Sequence, residues 1–395
     1  MSFYILKITG SGLAFGLSLA ISALPKSALS PLAGILSDKF SRKWQLVVYD
    51  LLSGITLFLI YLVSMNNRLS YSMIIFSITA MNALNTFYSI NLAASLPCIV
   101  DKEYLGKLNY TSQSISSLSR IIGPFIGGIL IAVIDIRLFV LVNALSFLIS
   151  ALLESFISFR IDVTSNKKQS QQKLLRRFIS EFKVGVQYST QHSLISTLIT
   201  HMVLLNVAFN FGYTVAIPFI INTQLALGPI IFGLSMGATS FGGFLVSILL
   251  SMIDMKDRKR SLLLGLTGLS GSLMMFSILS SYIRSYNASM YAIASLIFTC
   301  AILGASIVIA SVSFNILLQM NTENEYLGRI FSLSSLTSNL LTPLILILSG
   351  FFVNSVNPIS IVMFSGLFLL VITIELRYNK KFSFKTVSLI DQSER

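Results

Sequence analysis

The sequence predicts an all-α protein with many membrane-spanning helices, and three observations support this prediction. Hydrophobic residues make up 54% of the 395 residues and charged residues only 11%, against roughly 25% charged residues in a typical soluble domain. The mean hydropathy is +0.81. The long runs of Leu, Ile and Phe do not show the ~10-residue alternating segments of a membrane β-barrel. So few charges cannot cover so much apolar surface in water, and we expect lipid around the protein.

Eleven apolar stretches are each long enough to cross a bilayer, which takes ~20 residues per helix. They cover residues 12–36, 44–64, 71–96, 112–134, 138–157, 194–220, 230–253, 261–283, 288–319, 330–353 and 359–375. The shorter apolar run at residues 3–9 is the expected end of a first helix whose beginning is missing. We therefore expect eleven complete helices and a stub.

The distribution of Lys and Arg predicts how the chain is oriented. With the loop at residues 38–43 in the cytoplasm and the sides alternating, the inside segments hold 22 Lys and Arg, and the outside loops hold 3. Such an excess marks cytoplasmic segments. We expect a multi-pass protein of the bacterial cytoplasmic (inner) membrane with its C-terminus inside. The net charge of +13 then sets topology, and nucleic acid is not an expected partner.

A basic, polar stretch divides the apolar pattern into two halves. Its amphipathic part, residues 178–188, is expected to rest on the membrane surface. The predicted units are an N-terminal helical bundle with a truncated first helix, a basic cytoplasmic linker, a C-terminal helical bundle and a cytoplasmic tail. Their boundaries are 1–158, 159–192, 193–376 and 377–395.

The two halves share short matches in the same order. The loop that begins at Asp38 has a counterpart that begins at Asp254, 216 residues later, and the sequence at 104–107 recurs at 326–329, 222 residues later. These offsets indicate duplicated halves, a pattern found in some secondary transporters.

Two short motifs indicate a mechanism. In the first, Gly34, Asp38, Arg42 and Lys43 occupy a very short turn between two spans. Because Arg forms bidentate pairs with carboxylates, this turn is expected to latch the inner face. The simpler alternative is a basic loop that only sets topology.

The second motif lies inside a span and contains Arg120, Gly123, Pro124, Gly127 and Gly128. Proline removes a helix hydrogen bond and glycine lets helices approach closely. We expect a kinked, closely packed helix here, and plain helix packing is the alternative to a functional role.

The first motif resembles motif A of the major facilitator superfamily, with Ser41 where the family usually has glycine. The second resembles motif C, the antiporter signature of the drug-export branch, with Ser119 where glycine is usual. Together with residues 23–34, they make nearly the whole chain similar to the bacterial group that contains macrolide efflux proteins and the enterobactin exporter.

This resemblance implies a two-bundle transporter, where the family norm is twelve helices, that exports amphiphilic, drug-like small molecules in exchange for protons by alternating access. It implies no enzyme activity and no bound cofactor, with the proton gradient as the energy source. ATP is not an expected partner because a G-x-x-x-x-G-K-[ST] loop is missing. We expect a monomer. Siderophore or other metabolite export by the same fold is one alternative. A truncated, non-transporting protein is another, since we expect a mis-assigned start or a truncated gene rather than an eleven-span design.

Two acidic residues within the spans are candidates for proton coupling, Asp50 and Glu154. A lone charge at mid-bilayer costs roughly 2.5–3.5 kcal/mol, so each needs a partner or water. We expect Asp50 to pair with Arg42 or Arg120, either for coupling or as static support of the turn. Glu154 lies near the end of its helix and is expected to reach water there.

Other polar residues within the spans are candidates for a substrate cavity. Lys26 is expected to face another helix or the cavity. Asn206, Asn210 and Tyr213 share one helical face, which favours interhelical packing or substrate binding. His201 is expected to be solvated or hydrogen-bonded. The only cysteines, Cys98 and Cys300, are expected to be packed thiols, and we expect no metal site and no catalytic residues.

Overall fold

The computed structural model describes residues 5–6, 9–66, 70–99, 134–157, 183–252, 257–286, 289–323 and 326–379, together with the single positions 115, 119, 123, 126 and 130. None of these residues lies in a β-strand. The helices are α1 (Gly12–Lys39), α2 (Arg42–Asn66), α3 (Tyr71–Ile99), α4 (Ile136–Ser155), α5 (Ser193–Tyr213), α6 (Ala216–Phe219), a π-helix (Ile220–Gln224), α7 (Gly228–Met252), α8 (Arg258–Tyr286), α9 (Met290–Met320), α10 (Leu327–Ser355) and α11 (Pro358–Tyr378).

The helices confirm the prediction of an all-α membrane protein. Eight helices of the described part are long and apolar enough to cross a membrane, and shorter apolar stretches lie in α1 (Gly12–Pro25) and α10 (Leu340–Ser355). Each predicted span except 112–134 coincides with a described helix. Large apolar side chains on the outer faces, such as Phe298 (66% exposed) and Phe364 (69% exposed), are the surface that lipid covers.

Helices α1 to α4 pack together as one group. Helix α2 packs against α4 and α3, and α3 packs against α1. A small core of Leu57, Ile60, Val140 and Ala144 lies between α2 and α4. This group falls within the predicted N-terminal bundle, although the predicted boundary at residue 158 lies beside residues that the structure does not describe.

Helices α5 to α11 form the second group, in which α9 packs against both α7 and α8, and α11 packs against α8 and α5. Its largest core includes Phe276, Leu296, Leu303 and Val362, all 0% exposed. The predicted span 194–220 is interrupted at residues 214–215. Pro218 explains the interruption because it has no N–H to donate to the carbonyl group four residues earlier.

The principal contact between the two groups is made by α1 and α10. We call this contact the seam. A Cβ atom added at Gly16 would lie 2.5 Å from the Leu346 carbonyl oxygen, so the two backbones approach too closely for any side chain there. Asn354 of α10 accepts a hydrogen bond from the Gly12 N–H at 2.9 Å and donates one to Ser11 Oγ at 3.2 Å. It thereby satisfies one of the free N–H groups at the start of α1.

The last part of the predicted linker contains a short helix at residues 183–191. Its buried residue Tyr188 stacks on Tyr326 with ring centroids 4.2 Å apart, and the Tyr188 hydroxyl accepts a hydrogen bond from the Glu323 N–H at 3.3 Å. Tyr188 of this helix thus packs on the start of α10, and the position of the amphipathic segment on the membrane surface stays a prediction. The preceding linker residues, 158–182, lie outside the described part of the chain.

The close crossing of α7 and α9 gives a test of the packing. A Cβ at Gly304 would overlap the backbone of Thr239, whereas one at Gly271 would meet no described atom within 4 Å. We expect Gly304→Ala to cost about 1–3 kcal/mol through overpacking and to lower the melting temperature of the purified protein in detergent. Gly271→Ala serves as the matched control and should leave the melting temperature unchanged or slightly raised. Equal melting temperatures for the two variants would contradict this packing.

Candidate functional site

A cavity of about 500 Å³ lies between α2, α3 and α4. We call it the acidic cavity. Its lining combines one carboxylate with amide, hydroxyl and aromatic groups, and none of the described residues that line it is Lys, Arg or His. These residues are Asp50, Ser53, Met81, Asn82, Asn85, Tyr88, Ser146, Phe147 and Ser150. Its volume falls within the range of small-molecule sites, about 300–1,000 Å³.

The acidic cavity contains Asp50 and adjoins Glu154. Asp50 is 5% exposed and lies within hydrogen-bonding reach of Ser150 on α4. Glu154 is 9% exposed, and its Oε1 accepts a hydrogen bond from the Tyr88 hydroxyl at 2.7 Å. The other oxygen, Oε2, has no hydrogen-bond partner among the described residues. The expectation that Glu154 reaches water at its helix end is therefore wrong, because α3 covers its carboxylate.

The structure describes one of the two predicted cation partners of Asp50. Arg42 directs its Nε toward the Ser37 carbonyl oxygen of α1, at 3.5 Å. Arg120 lies outside the described residues. Among the described residues, Ser150 of α4 lies near the Asp50 carboxyl group.

The turn between α1 and α2 consists of two residues, Phe40 and Ser41. Gln45 of α2 donates hydrogen bonds from Nε2 to the carbonyl oxygens of Leu36, at 2.7 Å, and Phe40, at 3.0 Å. The Leu36 carbonyl oxygen also accepts the helical hydrogen bond of the Phe40 N–H, at 3.2 Å, so Gln45 adds a second bond there and joins the start of α2 to the end of α1. Ser41 does not have a positive φ, which explains why glycine is not needed at this position.

Asn91 of α3 holds the turn from a third helix. It is 0% exposed, accepts a hydrogen bond from Ser37 Oγ at 3.0 Å and donates one to the Arg42 carbonyl oxygen at 2.7 Å. One buried amide therefore joins the end of α1 and the beginning of α2 to the middle of the bundle.

Comparison with known proteins identifies the family of this fold. Residues 1–345 match the model of the Major Facilitator Superfamily. The chain belongs to this superfamily. It is 26% identical to macrolide efflux protein A of Streptococcus pyogenes over 376 residues, which cover 94% of this chain and 88% of that protein.

Two further comparisons agree with this assignment. Macrolide efflux protein A of Enterococcus faecalis is 25% identical over 342 residues, covering 85% of this chain and 99% of that protein. The crystal structure of a bacterial homologue of the iron transporter ferroportin, in an inward-facing state, matches with a TM-score of 0.67 and 16% identity. The match covers 96% of this chain and 93% of that one and shows a shared transporter fold.

Most residues of the superfamily's motif C lie outside the described part of the chain, namely Arg120, Pro124, Gly127 and Gly128. Gly123 is described, and it is helical and exposed. In the motif A run, Gly34 and Asp38 lie in the last turns of α1, and Arg42 and Lys43 begin α2. Lys26 lies in the middle of α1. The side chains of Lys26 and Asp38 are outside the description.

The polar face of α5 contacts neighbouring helices. Asn210 donates to Asn206 Oδ1 at 3.1 Å and accepts a hydrogen bond from Thr214 Oγ1 at 2.9 Å. Thr342 of α10 lies 3.5 Å from Asn206 Oδ1, and the Tyr213 hydroxyl lies 3.8 Å from the sulfur of Met236 on α7. These contacts favour the packing interpretation of this face.

His201 is buried and hydrogen-bonded, as the sequence predicts. Its Nδ1 lies 2.7 Å from the Thr197 carbonyl oxygen, and its Nε2 lies 3.2 Å from Oε2 of Glu375 on α11. A carbonyl oxygen only accepts, so Nδ1 carries a proton.

Sequence reasoning missed Gln45, Tyr88 and Asn91, which position the turn and the acidic cavity. A signal was available for Asn91, because amides within an apolar span need partners. Tyr88 offered no comparable signal, since tyrosine packs in membrane helices without a charged partner.

Asn91 provides a test of the turn. We expect Asn91→Ala to leave Ser37 Oγ and the Arg42 carbonyl oxygen without their partner, at a cost of about 1–3 kcal/mol. The measurement is the melting temperature in detergent. Ser89→Ala is the matched control on the same helix, because the hydrogen bond described for Ser89 stays within that helix, at the Thr86 carbonyl oxygen. A smaller loss for Asn91→Ala than for Ser89→Ala would contradict the role of Asn91.

Proposed function

We propose that this protein is a proton-driven secondary exporter of amphiphilic small molecules in the bacterial cytoplasmic membrane, with its C-terminus in the cytoplasm. The observation that carries the proposal is the buried group formed by Asp50, Tyr88 and Glu154 beside a cavity in a membrane-spanning bundle. The similarity to macrolide efflux proteins supports the export direction and the drug-like substrate class.

The electrostatics of the acidic cavity support proton coupling. Each lone charge inside a membrane is costly, and acidic residues there mark proton relays. The carboxyl groups of Asp50 and Glu154 interact electrostatically with the Tyr88 hydroxyl and with each other. Two carboxylates that share one buried site do not both ionise without a compensating cation. In this proposal the group holds a proton, and release of that proton drives export.

The seam supports alternating access. Close contact at Gly12, Gly16 and Asn354 occurs at one end of α1 and α10. The excess of Lys and Arg in alternate loops assigns this end to the outside. In this proposal the structure is closed toward the outside, and opening of the seam releases substrate there.

The role of Asp50 is tested by Asp50→Asn, which keeps the shape of the side chain and removes its charge. We expect pump-deficient bacteria that express Asp50→Asn to show no uncoupler-sensitive export, since an amide binds no proton. Their accumulation of the compounds should equal that of uncoupler-treated cells that express the unmodified protein. The compounds tested are macrolides, cationic dyes and a catecholate siderophore, so that the experiment also tests siderophore export. Export is measured as the drop in cell accumulation.

The matched control is Asp135→Asn. Asp135 is exposed and caps α4 through the Arg137 N–H at 2.7 Å, and asparagine caps equally well. This variant should export as the unmodified protein does. Full uncoupler-sensitive export by Asp50→Asn would refute the coupling role, and no export by the unmodified protein would refute the proposed function.

Alternating access is tested at the seam with the pair Ser11→Cys and Asn354→Cys, in a background where Cys98 is serine. The two native side chains lie 3.2 Å apart, so an oxidant is expected to crosslink the cysteines. Crosslinking should stop export because the seam can no longer open, and a reductant should restore it. Each single-cysteine variant is the control. Undiminished export by the crosslinked protein would exclude opening at this end.

A further inference from the structure

A second cavity, of about 450 Å³, lies in the second helix group, at the end where the seam also lies. We call it the arginine cavity. It is bordered by α6 and the π-helix, the last turn of α8, and the connection between α10 and α11. None of its described lining residues belongs to the lining of the acidic cavity. In the proposed orientation it opens to the outside.

The arginine cavity carries a positive charge. Among the described residues that line it, Arg284 is the one charged residue, and it forms no ion pair and no hydrogen bond with any described residue. Arg284 follows the buried residues Ser277 and Ser280 on one face of α8, so the packed face of this helix ends at the cavity. Its guanidinium group offers five N–H donors in a geometry that matches a phosphate or a carboxylate.

The polar side of the cavity is built on the π-helix. The N–H of Leu225 donates to the carbonyl oxygen of Ile220, five residues earlier, at 2.8 Å. This wide turn brings Gln224 to the start of α11, where its Nε2 donates to Asn357 Oδ1 at 3.0 Å. Gln224 Oε1 is buried and has no hydrogen-bond partner among the described residues. An acceptor without a donor is costly, so a ligand with a hydroxyl group beside its anionic group suits this cavity.

The surroundings of Arg284 indicate that such a ligand comes from the membrane. Tyr282 and Tyr286 flank Arg284 along α8, and both are exposed, with ring centroids 5.2 Å apart. Exposed tyrosines concentrate at the level of the lipid headgroups. Further from this end of α8, the exposed residues are the apolar Met275 and Ile278, as expected beside acyl chains. Arg284 therefore lies at the depth of the lipid phosphates.

We propose that the arginine cavity binds the phosphate diester of an anionic membrane lipid whose headgroup carries hydroxyl groups, with Arg284 as the counter-ion and Gln224 as a hydroxyl acceptor. Phosphatidylglycerol has this chemistry. The ammonium group of phosphatidylethanolamine finds no carboxylate among the described lining residues. The apolar part of the lining contacts the glycerol backbone and the first carbons of the acyl chains, and it consists of Phe219, Val353, Val356 and Pro358.

The test is binding of dioctanoyl-phosphatidylglycerol to the purified full chain in detergent, measured by native mass spectrometry. We expect it to bind about tenfold more tightly than dioctanoylglycerol, which has the same acyl chains and no phosphate. Dioctanoyl-phosphatidylethanolamine should also bind more weakly than phosphatidylglycerol. Glycerophosphoglycerol, the same headgroup without acyl chains, should not bind at the concentrations at which the lipid saturates the site.

Two variants locate the site. Arg284→Gln should weaken binding of dioctanoyl-phosphatidylglycerol about tenfold, because it removes the charge-assisted hydrogen bonds to the phosphate. Arg137→Gln is the matched control, since Arg137 is predicted on the same side of the membrane and does not line the cavity.

The second variant, Asn357→Asp, adds a negative charge to the cavity. It keeps the acceptor for Gln224 Nε2 and for the Ile359 N–H, and aspartate caps a helix as well as asparagine does. The melting temperature should therefore not fall, while binding of dioctanoyl-phosphatidylglycerol should weaken. This variant decides the question if Arg284→Gln lowers the amount of folded protein.

The outcomes separate the sources of the phosphate. Weaker binding by both variants, with Arg137→Gln unaffected, supports the proposal. Equal binding of dioctanoyl-phosphatidylglycerol and dioctanoylglycerol, or unchanged binding by both variants, would overturn it. Binding of glycerophosphoglycerol as tight as that of the lipid would also overturn it, because the ligand would then be a soluble phosphate ester.

Discussion

The close packing of α1 on α10 is the constraint on which the arrangement of the two helix groups depends. These two helices make the principal contact between the groups, and glycine at position 16 lets their backbones meet. Van der Waals packing of small residues drives helix association in lipid, where the hydrophobic effect between helices is absent. The hydrogen bonds of Asn354 fix the register of the contact. Phe15 of α1 and Leu346 and Val353 of α10 are also buried in one apolar cluster, so the seam combines close backbone contact with apolar burial.

Inside the first group, the energetics are set by buried charge. Tyr88 donates a hydrogen bond to Glu154, which reduces the cost of ionising that carboxyl group, and Asp50 lies near Ser150 of α4. The described lining of the acidic cavity contains no Lys, Arg or His. The proposed proton coupling uses this buried acidic group.

The sequence predicted the helices well because composition and length determine a membrane span almost completely. Asp50 and Glu154 were identified for the same reason, since an acidic residue in lipid is conspicuous. The environment of Glu154 was not predictable, because it depends on Tyr88 of a different helix. The same limit applies to the helix at residues 183–191. Its amphipathic pattern is equally consistent with a lipid surface and with the stacking of Tyr188 on Tyr326.

Helix α2 connects the acidic cavity to the turn physically. Asp50 lies eight residues after Arg42, or ~12 Å along the helix axis, and Gln45 and Tyr49 are hydrogen-bonded between them. Tyr49 also stacks on Phe87, which is adjacent to Tyr88, with ring centroids 5.6 Å apart. A shift of α2 that follows a change of charge at Asp50 must therefore move Gln45, whose amide holds the end of α1. Because α1 is also the helix of the seam, Asp50 and the contact that is proposed to open are joined through two helices and one turn.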